Sequence, residues 1–207
     1  LESCCNLSCL LLNSYNVRII SNLIEFHSMS VALLLEQLHH QFSENTLKNT
    51  AKYPLIAHDE QWPSPCELGE VDEQGNIQWQ GVRQQPAGSL NNLAKALELE
   101  FPTALSELYG HMYGGSVLAI IDGHQIELLQ AWNSDDFDML QKNITGHVLM
   151  KRKLKQPETV FIGLTDKEDL LVSVLIHTGE VCLEHVGKKT HHVLAPNIES
   201  FLKALKV

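Results

Sequence analysis

Cysteine is scarce in this 207-residue chain and unevenly placed: Cys4, Cys5 and Cys9 fall near its start, leaving only Cys66 and Cys182 for the rest. Two cysteines so far apart exclude a disulfide framework and point to a reducing compartment. Long apolar runs are also missing. Leu10-Leu11-Leu12 is broken at once by Asn13, Ser14 and Asn16. A membrane span needs about 20 apolar residues, and a secretory leader needs a basic start, an unbroken apolar middle and a small-residue cleavage site. No G-x-S-x-G, Walker loop, G-x-G-x-x-G or H-E-x-x-H occurs, so the commonest hydrolase, nucleotide and zinc-protease signatures are absent.

Basic residues are the next scarcity. Residues 29–150 hold 16 Asp/Glu against 5 Lys/Arg, residues 151–207 hold 7 against 9, and the whole chain carries −10. Nucleic-acid binding needs a basic face, so no nucleic-acid partner is expected. An acidic domain is repelled by an anionic leaflet, so no direct lipid insertion is expected either. Acid also serves plain solubility. What remains is 44% hydrophobic residues, enough for one soluble domain with a real core.

After Met29 a helical register appears, with Val31, Leu34, Leu35, Leu38 and Phe42 on one face and Ser30 as a cap. Residues 1–28 differ from the rest and read as a non-native or disordered N-terminal extension, with the domain at 29–207. Prolines at 54, 63 and 65 mark an irregular connection of about twenty residues, a length that is more often functional than neutral. A strand is expected at Ile77–Gln80, a helix through Leu90, Leu93, Leu97 and Leu99, and a helix over Thr103–Tyr109. Asp122-Gly123 between Val117–Ile121 and Gln125–Trp132 is a hairpin signal. Val160–Thr165, Leu170–His177 and Glu180–His185 read as strands, and Asn197 introduces a closing helix. This order predicts an α+β fold: a single domain with a mixed, mainly antiparallel sheet flanked by helices.

The run W-N-S-D-D-F-D-M-L-Q-K-N-I-T-G-H (132–147) raises the question of a carboxylate-histidine catalytic set. Its acids suit a helix start, and Phe137, Leu140, Ile144 and Val148 form one stripe. Asp136 and His147 then stand about 16 Å apart along the axis, too far for proton exchange. The basic end, Lys151-Arg152-Lys153-Leu154-Lys155, sits where helix carbonyls are exposed. His39-His40, His191-His192 and Cys182/His185 lack ligand spacing, since adjacent residues diverge on a helix and alternate on a strand. No metal or cofactor is expected. Trp132 reads as core; Trp62 reads as loop packing or as an interface anchor.

The blocks W-P-S-P-C (62–66), L-L-Q-A-W-N-S-D-D-F (128–137), N-I-T-G-H (143–147), L-K-Q-P-E-T-V-F-I (154–162) and S-V…T-G-E-V-C (173–182) resemble the Syd family of bacterial SecY-interacting proteins. The resemblance covers about residues 53–207 and is loosest over 81–115. It implies a SUKH-like α+β domain with no enzymatic activity. It also implies a peripheral protein at the cytoplasmic side of the inner membrane, partly cytosolic, which binds SecY and is linked to quality control of SecY complexes.

Cytoplasmic loops of membrane proteins are rich in Lys/Arg, and an acidic domain finds them by electrostatic steering. Beside the resemblance, the expected contacts with the basic loops of SecY are Glu60, Trp62, Glu67, Glu70, Asp72 and Glu73 in the long connection. Asp122, Glu127, Asp135 and Asp136 form a second group. An immunity-type domain neutralising a basic toxin would use the same acidity. A hydrolase built on His147 or His177 would require a carboxylate converging on one of them in a closed pocket.

Overall fold

The register beginning at Val31 forms helix α1, Val31–Thr50, in a computed structural model that describes residues 30–207. The extension expected over 1–28, and Met29, lie outside the described residues. Val31, Leu34, Leu35 and Leu38 are buried on one face of α1, while Phe42 is half-buried against an aromatic cluster.

Three short antiparallel strands follow: β1 (Leu55–Ala57), β2 (Glu67–Leu68) and β3 (Asn76–Trp79), arranged β1-β3-β2. The proline-marked connection is therefore less irregular than expected. β1 is three residues long and mostly exposed, so it has no hydrophobic alternation to betray it. Strands β4 (Val82–Arg83) and β5 (Met112–Tyr113) pair around helices α2 (Asn91–Ala96) and α3 (Thr103–Gly110). Helix α2 stops short of the expected Leu99 because Glu98 takes a positive φ of 55°.

The main sheet comprises β6 (Val117–Ile121), β7 (His124–Leu128), β8 (Thr159–Thr165), β9 (Leu170–Leu175), β10 (Val181–His185) and β11 (Thr190–Ala195). Its order is β11-β10-β9-β8-β7-β6, and every pairing is antiparallel. The fold is thus α+β, as the order of elements predicts. Asp122 and Gly123 turn the β6–β7 hairpin with φ of 47° and 77°, the two positive values of a type I′ turn. Helix α4 (Ser134–Lys153) joins β7 to β8 and lies against β8, while the closing helix α5 (Ile198–Ala204) packs on α1 and β11. Val31–Val207 forms one compact unit.

Strand β11 was not legible in the sequence. It is an edge strand with His191, His192 and Val193 exposed, and a bulge sets Leu183 and Glu184 opposite His192 and Thr190. The bulge leaves His191 outside the pairing, so no period-2 pattern survives.

Polar contacts of Glu36 help to fix α1. Glu36 accepts both prongs of the Arg83 guanidinium at 2.7 Å and lies 2.5 Å from His111 Nε2. Arg83 and His111 together hold the Glu36 carboxyl down at about 2. Deeper, the His39 ring sits 2% exposed, edge-on to Trp79. A Cβ on Gly81 would lie 2.7 Å from its Nδ1, and one on Gly114 2.5 Å from its Cε1. Only glycine at both positions leaves room for the imidazole.

Burial lowers the His39 pKa from 6.5 to about 4, a shift the Gln130 side chain only partly opposes. As pH falls below 6.5 the unfolded imidazole takes a proton while the folded one stays neutral. Stability should therefore fall by about 1.4 kcal/mol per pH unit across that window. Urea unfolding of the parent should approach this slope as pH falls from 6.5 to 5.5, above the range in which carboxylates such as Glu36, with an ordinary value of 4.5, begin to contribute. A His39→Leu variant should be flatter there; coincident slopes would mean that His39 does not fold as a neutral ring.

Candidate functional site

Two hydrogen-bonded networks organise the face that α4 covers. In the first, Lys151 Nζ donates to Glu184 Oε2 at 2.6 Å and to the Lys188 carbonyl at 2.7 Å. Thr159 Oγ1 donates to Glu184 Oε1 at 2.7 Å. His147 Nε2 lies 2.7 Å from Thr159 Oγ1 and 3.2 Å from Glu184 Oε1. With the threonine proton committed to Glu184, His147 Nε2 must carry the donor proton. Burial pushes the Glu184 carboxyl up, but bonds from His147, Lys151 and Thr159 outweigh it and hold the group at about 2.

His147 therefore does meet a carboxylate, though not Asp136. The side chains of His147 and Glu184 are 8% and 1% exposed, so no substrate reaches the pair, and the set is a structural knot. His177 is exposed just beyond β9. Lys151 corrects the expectation that the whole basic end of α4 faces exposed carbonyls, because its side chain is 1% exposed. The sequence did carry a signal. Lys151 lies three residues beyond Val148 and continues the buried stripe. Glu184 shares a face with Cys182 in a strand that opens Val-Cys-Leu.

The second network stitches the 62–66 loop to the start of α4. Ser64 Oγ donates to the Trp132 carbonyl and accepts from the Cys66 amide. Asn133 Nδ2 donates to the Pro63 carbonyl, while its Oδ1 caps α4 by accepting from the Asp136 amide. Asp136 in turn accepts from the Trp132 amide at 2.8 Å. Trp132 is buried with Trp79 and Cys66, and Trp62 packs half-buried on that cluster. One part of the Trp62 ring thus packs on the loop cluster and the rest is open to solvent.

The expected acidic contacts divide by what already holds them. Asp72 accepts from the amides of Gln74 and Asn76 at 3.0 and 2.8 Å, shaping the turn before β3. Half-buried Glu67 lies 3.2 Å from His58 Nδ1. Glu60, Glu70, Glu73 and Asp135 are exposed, and among the described residues none of them enters an ion pair. The Asn133 and Ser64 bonds join the segments that carry Glu60 and Asp135.

Asp122 and Glu127 belong to the β6–β7 hairpin instead. There a groove of about 450 Å³ is lined by Leu118, Ile120, Gln125, Glu127, Asp166 and Lys206. Leu118 is 61% and Ile120 49% exposed. The chain end pairs with the edge strand, as the Ile120 amide donates to the Lys206 carbonyl and the Lys206 amide to the Ile120 carbonyl. Among the described residues no helix is long and apolar enough to cross a membrane. Nor do any three His, Cys, Asp or Glu residues group to hold a metal ion.

Breaking a buried ion pair on one side leaves an uncompensated charge at a cost of about 3–5 kcal/mol. Lys151→Met should lower the urea-derived stability by that order. Lys151→Met with Glu184→Leu should recover much of the loss. A single change costing less than about 1 kcal/mol would mean that the pair is hydrated in solution.

The family model described as Syd protein (SUKH-2) matches residues 32–206. The chain is 75% identical to Protein Syd of Pseudoalteromonas translucida over 179 residues, covering 86% of this chain and 100% of that protein. It is 39% identical to Protein Syd of Colwellia psychrerythraea over 173 residues, 79% of this chain and 86% of the relative. Protein Syd of Idiomarina loihiensis is 43% identical over 144 residues, 69% and 78% of the two chains. The chain therefore belongs to the Syd (SUKH-2) family.

Proposed function

We propose that this is a non-enzymatic binding protein that associates through its acidic surface with the basic cytoplasmic loops of SecY. It would act as a peripheral protein at the cytoplasmic side of the inner membrane, in the quality control of SecY complexes. Membership of the Syd family supports the reading. The observation that carries it is the set of free carboxylates: Glu60, Glu70, Glu73 and Asp135 stand exposed, and none takes part in an ion pair among the described residues. A surface that leaves its acids unpaired complements loops enriched in Lys/Arg.

Binding of such pairs is distributed. One exposed pair is worth about 0–1 kcal/mol, so single substitutions should weaken SecY binding by less than about tenfold. The combined Glu60→Lys, Glu70→Lys, Glu73→Lys variant avoids Asp72 and Glu67, which hold local structure, and should keep the parent's thermal midpoint. Its affinity for SecY in solubilised membranes should nevertheless collapse. Affinity of the parent should fall between 0.15 M and 1 M salt, as the Debye length shrinks from about 8 to about 3 Å. A folded triple variant that recovers SecY as well as the parent, with no effect of salt, would rule out this mechanism.

A further inference from the structure

The nine basic residues of 151–207 are not spread evenly over the surface. Lys151 reaches inward, and its bond to the Lys188 carbonyl pulls the β10–β11 turn against the end of α4. Gln156 Nε2 adds a second tie, donating to the Gly187 carbonyl at 2.9 Å. Leu154 Cδ1 lies 3.8 Å from where a Cβ on Gly187 would stand. The result is one tip made of two segments, Arg152–Lys155 and Val186–Lys189. At this tip Leu154 is 46% and Val186 50% exposed, and Lys153, Lys155, Lys188 and Lys189 are all exposed. Among the described residues none of these four lysines enters an ion pair. Arg152 is spoken for by Glu158 at 3.1 Å and by the Leu97 carbonyl.

We propose that this tip is a docking surface for an anionic phospholipid bilayer. Lysine ammoniums around two exposed aliphatic side chains suit the headgroup boundary, where the charges meet lipid phosphates and the apolar ends dip below them. Nucleic acid would use the same charges, but its bases gain from open aromatic faces, and the rings beside the tip, His185 and His191, already stack on each other at 5.4 Å. Acid lies on two flanks: Arg152 reaches the Leu97 carbonyl, next to exposed Glu98, and on the other side the Val186 amide donates to the carbonyl of Asp169, whose carboxylate pairs with His185. Glu168 is exposed on that same turn. The tip is thus a local positive feature on a negative molecule. Glu127 on β7 stands three strands from β10, about 14 Å at ordinary strand spacing. That exceeds the Debye length of about 8 Å at 0.15 M salt, so the distant acid does not cancel the attraction. The contact is adsorption without insertion of a helix, and it is independent of SecY.

The test is co-sedimentation of the full chain with SecY-free vesicles. Vesicles of phosphatidylglycerol and phosphatidylethanolamine should retain the protein, and phosphatidylcholine vesicles should not. Combined Lys153→Glu, Lys155→Glu, Lys188→Glu and Lys189→Glu substitution should lower partitioning by at least about tenfold. Leu154→Ser with Val186→Ser should lower it by a smaller factor, and the Glu60/Glu70/Glu73 variant should bind vesicles at least as well as the parent. Equal binding to both vesicle types would overturn the proposal, as would undiminished binding by the folded lysine variant. Retention on single-stranded DNA without vesicle binding would assign the tip to nucleic acid instead. Because no SecY is present, failure here leaves the acidic-face reading untouched.

Discussion

A lysine ammonium 2.6 Å from a glutamate carboxylate, both side chains 1% exposed, is the constraint on which the arrangement of α4 depends. Apolar contacts would hold this helix on the sheet without fixing its position, because hydrophobic attraction has no direction. The Lys151–Glu184 bond has both direction and reach. It sets the last turn of α4 over β10, and the second bond of Lys151, to the Lys188 carbonyl, sets the β10–β11 turn. Desolvating two charges is costly, and such a pair persists only when the remaining lone pairs are satisfied. Thr159 and His147 satisfy them here from β8 and α4. Four side chains on three elements thus behave as one joint.

The acidic half of the chain is less uniform than its net charge implies. Some carboxylates are already occupied. Glu36 is clamped by Arg83, Asp72 closes a turn and Asp136 holds the Trp132 amide. Others, such as Glu60, Glu70 and Glu73, have no such task and stand in solvent. The distinction matters for mechanism. A free carboxylate contributes field and steering at no structural cost, whereas reversing an occupied one perturbs the fold before it perturbs binding. Charge counted along a sequence cannot separate the two kinds, because the separation depends on which backbone amides the fold brings within 3 Å.

Local signals in this sequence were legible wherever one short-range rule acted alone. Asn133 and Asn197 cap their helices by side-chain bonds, Asp122-Gly123 turns its hairpin, and the stripe through Ile144 and Val148 is buried. What escaped depends on long-range partners or on missing pattern. Strand β11 is exposed and bulged, so its period is lost. The exposure of Leu118 and Ile120 was hidden because an apolar pentapeptide reads alike whether one face is covered or both. Lys151 looked like a helix-end cation because its partner stands 33 residues away on β10. In the candidate site, residue types and segments were readable, but the division into occupied and free carboxylates was not.

The sequence blocks that carry the resemblance supply side chains to both networks. Ser64, Asn133, His147 and Thr159 are spent on joining segments to one another, and the surfaces open to partners lie between these joints. One network holds the acidic loop at the start of α4, and the other holds the basic tip at its end. A helix of 20 residues spans about 30 Å, so the same element keeps surfaces of opposite sign apart by several Debye lengths at physiological salt. At that separation neither surface neutralises the other, although both belong to a small domain. The rigidity of α4, secured at one end by Asn133 and at the other by Lys151, is what converts a sequence-level charge asymmetry into two distinct faces.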